Sequence, residues 1–590
     1  MWPSLVALRL VLPLGAAETP STVTFNEHLA PVIFQHCAPC HRPGGAAPFS
    51  LLTFNDAAKR ATDLADVTGR RYMPPWLPEP GPHTFNGDRR LTEDEIALFR
   101  RWSAAGAPAG DPSKSPPPPQ FISDWQMGPP DLVVTLPEPF IVPAEGRDVY
   151  RNFVMPLNLD RRRYVKAWEL RPGSRTAHHA FVRVDRSGEG RRRDATDPEP
   201  GFPGMDIPVQ IQPPNGHFAS WQPGAAPARN PVGLSWTLEP GTDLVLQTHL
   251  QPRGKPEPFQ PQLGLYFTDE PPTNQPIKFG LGTYSLDIPA GSTNVTARDE
   301  MILPADADLL GVLPHTHYLG RRIEGRAVFP DGREESLLLI PDWDFNWQGA
   351  YRYQEPVFLP AGTKISMALQ FDNSTNNVRN PFSPPRPARY GPNTTDEMAE
   401  LWLQLLPRTP EGTAKFELLL VERTIRDTIA YNEQRLRRDP NDGGALVNLG
   451  RARMAQQRLA DAEALFKHAT RIAPQLDEGH YYLGLVYRMN RRRAEAILEF
   501  RRTLEINPQH ARANGNLGFL ELEAGRTNEA AAYFREAIRI DPIDALALVS
   551  LAEIRLRQGA REEAVTLYRR AIEADPKNAD ARAALARLNP

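Results

Sequence analysis

The residues best suited to redox chemistry near the start of the chain are two cysteines and the histidine that follows them. The sequence HCAPCH, residues 36–41, holds Cys37, Cys40 and His41, and the chain has no other cysteine. A C-x-x-C-H run is the attachment pattern of a c-type haem, in which both sulfurs form thioethers and the histidine binds the iron. A redox pair or half of a zinc site is the alternative, although zinc needs further ligands nearby. The motif predicts one covalent haem.

The other face of that haem needs a second iron ligand. RYMPPW, residues 71–76, offers Met73, and a thioether opposite a histidine raises the haem potential. His83 is a competing ligand, and Met73 is also compatible with a core position. We take Met73 as the predicted distal ligand.

Five histidines lie further along the chain in segments with strand character. His315 and His317, in GVLPHTHYLG, are two residues apart, which places both imidazoles on one face of a strand. His249 lies in the apolar run DLVLQTHLQ. His178 and His179 are adjacent in TAHHAFV, and a strand end or a β-bulge would turn both toward one ion. Each is compatible with a structural role when taken singly, but the group predicts a copper or zinc site.

Two further residues complete the set of candidates. Met398 lies in NTTDEMAELWLQLL, residues 393–406, and a thioether added to imidazoles shifts metal preference toward copper, especially Cu(I). Its spacing alone assigns it to no site. His217, in NGHFASW, is interpreted as a structural or surface residue.

The first part of the chain predicts an exported, helical unit around the haem. Residues 1–17, MWPSLVALRLVLPLGAA, form a candidate signal peptide. Residues 18–109 predict a small all-α domain, closed by a helix that starts with Thr92 and Glu95 spaced as a capping box. Residues 110–125 contain DPSKSPPPP, a stiff spacer.

The remaining residues predict two further kinds of architecture. Between 126 and about 424, short apolar runs alternate with turn residues, which indicates antiparallel β-sandwiches, and the length allows two, at 126–272 and 273–424. Over 425–590 a 34-residue period predicts tetratricopeptide repeats, an all-α solenoid that binds a protein partner. The period is carried by Pro440, Pro474, Pro508, Pro542 and Pro576.

Composition excludes some partners and indicates a compartment. The formal net charge is -3, from 68 basic and 71 acidic side chains, so no overall field would recruit nucleic acid. No segment approaches the roughly 18 uninterrupted apolar residues of a membrane span. Because c-type haem is attached outside the bacterial cytoplasm, a periplasmic or otherwise extracytoplasmic location is expected.

Four motifs together resemble a known family. TAHHAF, LVLQTH, PHTHYLG and TTDEMAELWLQL, in that order, resemble the copper type II, ascorbate-dependent monooxygenases, the family of peptidylglycine alpha-hydroxylating monooxygenase and dopamine beta-monooxygenase. The resemblance covers roughly residues 126–424 and implies two β-sandwich, jelly-roll-like domains with one copper each. Residues 18–109 resemble the small cytochrome c domains of multidomain bacterial proteins.

The resemblance also implies roles for the candidate ligands. The electron-transferring copper would be bound by His178, His179 and His249. The copper at which dioxygen is activated would be bound by His315, His317 and Met398.

The implied activity is hydroxylation of a carbon-hydrogen bond in an unidentified small-molecule or peptide substrate. Dioxygen is the oxidant, and electrons come from an ascorbate-like reductant or a periplasmic redox protein, with the fused haem as a possible carrier. Leu313 and Trp402 stand where the peptidylglycine enzymes carry an arginine and a tyrosine, so a more apolar substrate is the hypothesis. The alternative is a non-catalytic haem and copper protein for electron transfer or binding, in which the repeats are the main interaction module.

Overall fold

The structure is a computed structural model of the chain. It describes residues 22–45, 47–121, 125–204, 207, 210–224, 227–391, 393–575 and 578–588. The predicted signal peptide at residues 1–17 lies outside the described residues. The chain divides into two compact units, Met1–Glu417 and Leu418–Pro590. Among the helices of the described residues, none is long and apolar enough to cross a membrane.

The first unit begins with short helices packed around a small core. A π-helical turn, Phe25–Leu29, leads into the first helix. The helices are Ala30–His36 (α1), Phe54–Ala58 (α2), Ala61–Gly69 (α3) and Glu93–Ala104 (α4). The predicted capping box of α4 is present, since the Thr92 hydroxyl accepts a hydrogen bond from the Glu95 backbone N–H at 3.2 Å and the Thr92 backbone N–H donates to the Glu95 carboxylate at 2.7 Å. The cap fixes the start of α4, whose Phe99 and Trp102 are fully buried.

Residues 132–268 are built from short antiparallel strands. Their bounds are Leu132–Thr135 (β1), Phe140–Val142 (β2), Val149–Pro156 (β3), Arg163–Arg171 (β4), Ala177–Asp185 (β5), Phe202–Pro203 (β6), Ile211–Gln212 (β7), Ser220–Trp221 (β8), Ala228–Arg229 (β9), Trp236–Leu238 (β10), Asp243–Leu250 (β11), Glu257–Phe259 (β12) and Gln262–Thr268 (β13), with helix Glu189–Asp194 (α5) after β5. One sheet has the order β1-β13-β4-β10, with β9 beside β4. A second has the order β6-β3-β11-β5-β7, with β8 beside β5, and β12 pairs β2.

A single core joins the two larger sheets of this region. Phe153 and Leu246 come from one sheet, Trp236 and Leu263 from the other, and all four are fully buried in one cluster. Full burial of a large apolar side chain stabilises a fold by about 1.5–3 kcal/mol. The antiparallel, β-rich character predicted for this part of the chain is confirmed.

Residues 277–407 form a second set of antiparallel sheets. The strands are Ile277–Gly282 (β14), Asp287–Ile288 (β15), Val295–Ile302 (β16), Ala307–His315 (β17), Gly320–Val328 (β18), Glu334–Ile340 (β19), Tyr351–Leu359 (β20), Lys364–Phe371 (β21), Ala388–Arg389 (β22) and Glu400–Pro407 (β23). The sheet orders are β14-β23-β17-β20, β16-β21-β18-β19 and β15-β22. In β21 every second residue is buried, from Ile365 to Phe371, which is the period of a strand with one face on a core.

The second unit is helical and repetitive. The helices that reach into it or lie within it are Pro410–Arg438 (α6), Gly443–Ala455 (α7), Leu459–Ile472 (α8), Asp477–Met489 (α9), Arg493–Ile506 (α10), Ala511–Glu523 (α11), Thr527–Ile540 (α12), Ala545–Arg557 (α13), Arg561–Ala574 (α14) and Ala579–Leu588 (α15). Gly450 of α7 shows why a small residue recurs every 34 positions. A Cβ on Gly450 would lie 2.5 Å from the Phe466 ring of α8, so the paired helices approach too closely for a larger side chain. The predicted all-α repeat architecture is confirmed.

Candidate metal centre

Three histidines converge where β5 and β11 pair. In the register between these strands His249 lies opposite His179, but Leu250 lies opposite Ala177, so His178 is the extra residue of a β-bulge. The bulge lets the side chains of His178 and His179 point toward the same side of the strand. The ring centroid of His178 lies 5.4 Å from that of His179 and 4.8 Å from that of His249, and the His179 and His249 centroids are 4.9 Å apart. The bulge considered from the sequence is therefore present.

A carboxylate orients one of these rings. His249 Nε2 lies 2.6 Å from Asp148 Oδ2, and His249 Nδ1 lies 3.2 Å from His179 Nε2. A metal-binding imidazole characteristically donates its other ring N–H to a carboxylate, which fixes the tautomer. Two nitrogens bound at about 2.05 Å to one tetrahedral ion would lie roughly 3.3 Å apart, close to the separation of the His179 and His249 nitrogens. The separation of the His179 and His249 nitrogens is therefore compatible with both binding one ion.

Two ring nitrogens of this cluster lack hydrogen-bond partners. His178 Nε2 and His179 Nδ1 are buried, and within the described part of the chain nothing hydrogen-bonds them. Burial, with the nearby His249, lowers the pKa of His178 to about 4 and holds the pKa of His179 well below its usual range. Both imidazoles are neutral at pH 7, the state that binds metal ions.

The second pair of histidines lies at the end of β17. The ring centroids of His315 and His317 are 5.2 Å apart, as their spacing predicts. His315 Nδ1 lies 2.8 Å from Gln348 Oε1, and His317 Nδ1 lies 3.0 Å from the Asp396 carbonyl oxygen. Because these contacts engage Nδ1 in both rings, Nε2 is the nitrogen that each ring offers to an ion. Burial lowers the pKa of His317 to about 3.

Met398 is tied to this pair through the residue before it. In the antiparallel register His315 lies opposite Glu400, and half-buried Met398 precedes that strand. The fully buried Glu397 carboxylate accepts hydrogen bonds from the His317 N–H at 2.9 Å and from the Met398 N–H at 3.3 Å. Glu397 thus fastens the backbone of the methionine to the backbone of the histidine pair. Sequence reasoning missed it, because a single acid before a methionine has no distinguishing spacing.

One aromatic ring lies between the two groups of histidines. Phe345, in the 3-10 helix Phe345–Trp347, is fully buried, with its centroid 5.8 Å from His178, 6.3 Å from His249 and 5.6 Å from His317. Because both distances are measured to the same ring, the His178 and His317 centroids are at most about 11.4 Å apart. Sequence reasoning gave Phe345 no role, since nothing in FNW distinguishes it from core.

Burial and unpartnered nitrogens also occur at a histidine outside the two groups. Among the described residues, no group of three or more His, Cys, Asp or Glu side chains is arranged so that it could hold a metal ion as it stands. His217 is buried with both ring nitrogens unpartnered by any described residue, yet it lies in a separate cavity of about 50 Å³ with Glu169 and Arg352. Burial lowers its pKa to about 4. His217 is therefore not a surface residue, and orphaned nitrogens by themselves do not define a metal site.

The C-x-x-C-H motif lines a large cavity. Cys37, Cys40, His41 and Met73 all contribute to the wall of a cavity of about 1820 Å³. Both cysteines are free thiols, and burial raises the pKa of Cys37 to about 12. His41 Nδ1 lies 3.2 Å from the Phe49 carbonyl oxygen, which leaves Nε2 for an iron ligand. The donor set and the cavity size fit a covalently attached haem.

Met73 and His83, the two competing distal ligands, occupy different surroundings. Met73 lines the cavity. His83 Nε2 lies 3.0 Å from Glu335 Oε2 of β19, and among the described residues the cavity lining does not include His83. Of the two, only Met73 therefore borders the cavity that Cys37, Cys40 and His41 line.

The helical part of the first unit contacts both β regions. A Cβ on Gly224, in the loop after β8, would lie 2.7 Å from the Cys40 sulfur. On the other side, the Asn86 N–H donates to the Arg352 carbonyl oxygen of β20 at 2.8 Å. The cavity wall therefore includes His178 and Trp347 as well as the cysteines.

Comparison with known proteins bears on the C-terminal unit. Family models described as tetratricopeptide repeat match residues 426–477, 481–545 and 521–588. No curated protein matches the chain. Similar solved structures include two of MamA and one of YrrB, described as a TPR protein with an unusual peptide-binding site. The MamA structures are 27% and 26% identical, with TM-scores of 0.24 and 0.23; each covers 27% of this chain, and 94% and 86% of the respective MamA chains. The YrrB structure is 21% identical with a TM-score of 0.24 and covers 29% of this chain and 89% of that chain. The C-terminal part of the chain consists of tetratricopeptide repeats, a protein-interaction module.

Proposed function

We propose that this protein is a copper-dependent monooxygenase that hydroxylates a carbon-hydrogen bond of its substrate with dioxygen. The observation that carries the proposal is the β-bulge at His178, which gathers three imidazoles around two unpartnered nitrogens beside the Asp148 carboxylate. The convergence of three imidazoles, with a carboxylate behind one of them, distinguishes this cluster from the single buried His217. Overall, a carbon-hydrogen bond, dioxygen, two electrons and two protons become an alcohol and water.

The two histidine groups take different parts in this proposal. His178, His179 and His249 hold the electron-transferring copper, and the Asp148 carboxylate orients His249. Copper supplies one-electron redox chemistry, and a thioether among its ligands favours the cuprous ion.

His315, His317 and Met398 hold the second copper. Gln348 and the Asp396 carbonyl oxygen accept the Nδ1–H of the two rings, which keeps Nε2 of each available. The buried Phe345 ring would lie between the two copper sites.

The finer architecture follows from the same proposal. Residues 126–272 and 273–424 would be the two jelly-roll-like copper domains, and the single core shared by two sheets in the first of them supports this assignment. Residues 18–109 would be a cytochrome c domain that holds one haem through Cys37 and Cys40, with His41 and Met73 on the iron. Such attachment implies a periplasmic or otherwise extracytoplasmic location. The haem would receive electrons from an ascorbate-like reductant or a periplasmic redox protein.

The substrate is proposed to be apolar, either a small molecule or a peptide. Leu313 of β17 lies opposite Trp402 of β23. Trp402 is held in place, since its indole N–H donates to the Glu400 carboxylate at 2.8 Å and Lys278 Nζ lies 4.1 Å from its ring centroid. Neither side chain offers a fixed positive charge for a peptide carboxylate.

A second candidate function is a non-catalytic haem and copper protein for electron transfer or binding, in which the tetratricopeptide repeats are the main protein-interaction module. It is favoured by the tetratricopeptide repeats matched over residues 426–477, 481–545 and 521–588, which indicate a protein-interaction module. A non-catalytic protein would still bind haem but would consume no dioxygen.

Metal analysis and dioxygen consumption together separate the two candidates. Protein exported from a host that attaches c-type haem should contain one haem and two coppers per chain. The His315→Ala, Met398→Ala double variant should retain the haem and one copper. Haem without stoichiometric copper in the unaltered protein would contradict the monooxygenase proposal, and two coppers without dioxygen consumption under any reductant would favour the second candidate.

A further inference from the structure

One cavity joins the two redox motifs of the first unit. Cys37, Cys40 and His41 line it on one side, and His178 of the three-histidine cluster lines it on another. A haem attached to the cysteines would occupy the same space that His178 borders. Electrons leaving that haem would therefore have a route to the histidines through one cavity, and the route is set by the residues between them.

The 3-10 helix Phe345–Trp347 has one aromatic residue among the histidines and another in the cavity wall. Phe345 lies among the imidazoles of His178, His249 and His317. Trp347, two residues later, lines the cavity. A single helical turn fixes the two rings relative to each other, and the Asp344 side chain caps its start by accepting from the Asn346 N–H at 2.9 Å.

Trp347 contacts the residue next to Met73, and the residue after Trp347 contacts the second histidine group. Its ring centroid lies 6.4 Å from that of Tyr72, the neighbour of Met73. The next residue along the chain, Gln348, holds His315 Nδ1 at 2.8 Å. The Trp347 indole nitrogen is buried, and no described residue accepts its hydrogen bond, so it is available to a group inside the cavity.

We propose that Trp347 is the positioning residue for electron transfer from the haem to the copper sites, an inference that rests on the proposed function. In each step one electron leaves the ferrous haem, which becomes ferric, and reduces one cupric ion to cuprous. No bond is made or broken and no proton moves. A haem attached to Cys37 and Cys40 would share its cavity with the Trp347 indole, and residues 345–348 would connect that indole to the imidazoles.

The test uses the full-length protein loaded with haem and copper, and three variants. Trp347→Leu removes the aromatic ring, whereas Trp347→Phe keeps a ring but removes the indole N–H. Trp76→Phe is the matched control, because the Trp76 indole nitrogen is also buried without a described partner and its ring contacts Tyr351 at 5.4 Å. Among the described residues, the cavity lining does not include Trp76.

The readout is the rate at which photoreduced haem is reoxidised by cupric ions, followed by haem absorbance and by loss of the cupric EPR signal. Haem content, copper content and haem midpoint potential are measured for every variant. We expect Trp347→Leu to slow reoxidation by roughly tenfold, equivalent to about 1.4 kcal/mol in the barrier, with unchanged metal content and potential. Trp347→Phe should fall between Leu and the unaltered protein, and Trp76→Phe should match the unaltered protein.

The outcomes separate this inference from the proposed function. A wild-type rate in fully loaded Trp347→Leu would overturn the inference alone, and would mean that His178 accepts electrons directly across the cavity. Equal slowing by Trp76→Phe would also overturn it, because a general disturbance of this segment would then explain the effect. A protein that binds haem but no copper would overturn the proposed function and this inference together.

Discussion

The two histidine groups on either side of Phe345 are held by different means. In the three-histidine group the imidazoles contact one another, and a single carboxylate, Asp148, orients His249. In the two-histidine group each imidazole contacts a separate protein oxygen through Nδ1. In the first arrangement ring nitrogens contact each other. In the second, protein oxygens engage Nδ1 of both rings, and Nε2 of each ring remains available. A closed group suits storage of an electron, and an open group suits contact with a substrate or dioxygen.

The largest effect should come from removing one imidazole from either group. His249→Ala should lower the copper content from two per chain to one, since it removes the residue that links Asp148 to the other two rings. His317→Ala should do the same at the other group. Elemental analysis gives the stoichiometry, and the cupric EPR spectra of the two variants should differ because each reports the surviving site.

His217 provides the internal control for this comparison. It shares burial and unpartnered nitrogens with the three-histidine group, but it lies in its own small cavity. His217→Gln should therefore retain two coppers per chain. Loss of one copper from this variant would mean that the ligand sets are assigned wrongly.

The same histidine should make stability depend on pH. Burial lowers the pKa of His217 to about 4 in the folded protein, below the ordinary 6.5 of an exposed histidine. Between pH 6.5 and 4 the unfolded chain binds a proton there that the folded protein does not, so the free energy of unfolding falls as the pH falls. The loss of unfolding free energy begins below pH 6.5 and reaches about 3 kcal/mol once the pH is below 4. Urea unfolding at pH 7 and pH 4.5 should show a smaller decrease in His217→Gln than in the unaltered protein.

The carboxylate of the second group differs from that of the first. Glu397 hydrogen-bonds backbone N–H groups, whereas Asp148 contacts the His249 imidazole. Its carboxylate accepts from the His317, Leu319 and Met398 N–H groups and from the Thr316 hydroxyl, while burial raises its pKa to about 7. Glu397→Gln puts an amide donor against those donors and should cost about 2 kcal/mol of stability. Copper should be lost at the second group only.

Glu334→Gln, on the exposed edge of β19, is the matched control for that substitution. Its carboxylate is mostly in water, so its stability should change by less than about 0.5 kcal/mol. Equal losses in both variants would show that Glu397 has no special structural role.

The tetratricopeptide repeats could be predicted from the sequence more completely than the contacts around the histidine groups. The 34-residue period could be predicted because Gly450 and Phe466 meet within one helix pair, so the constraint is local and recurs. The bulge at His178 could be considered, because two adjacent histidines conflict with strand alternation. Asp148 and Gln348 could not be predicted, because they lie 101 residues from His249 and 33 residues from His315 and are brought close only by tertiary packing.

The smallest expected effect tests whether the two supporting oxygens act separately. Asp148→Asn keeps an acceptor near His249 but removes the charge, and should weaken copper at the first group by roughly tenfold, or about 1.4 kcal/mol, as loss of an outer-shell partner does. Gln348→Ala should weaken the second group to a similar extent and leave the first unchanged. Competition with a chelator of known affinity, read by EPR at each site, measures both. If either substitution weakened both groups equally, the ring of Phe345 would be transmitting changes between them, and the two groups would have to be treated as one site.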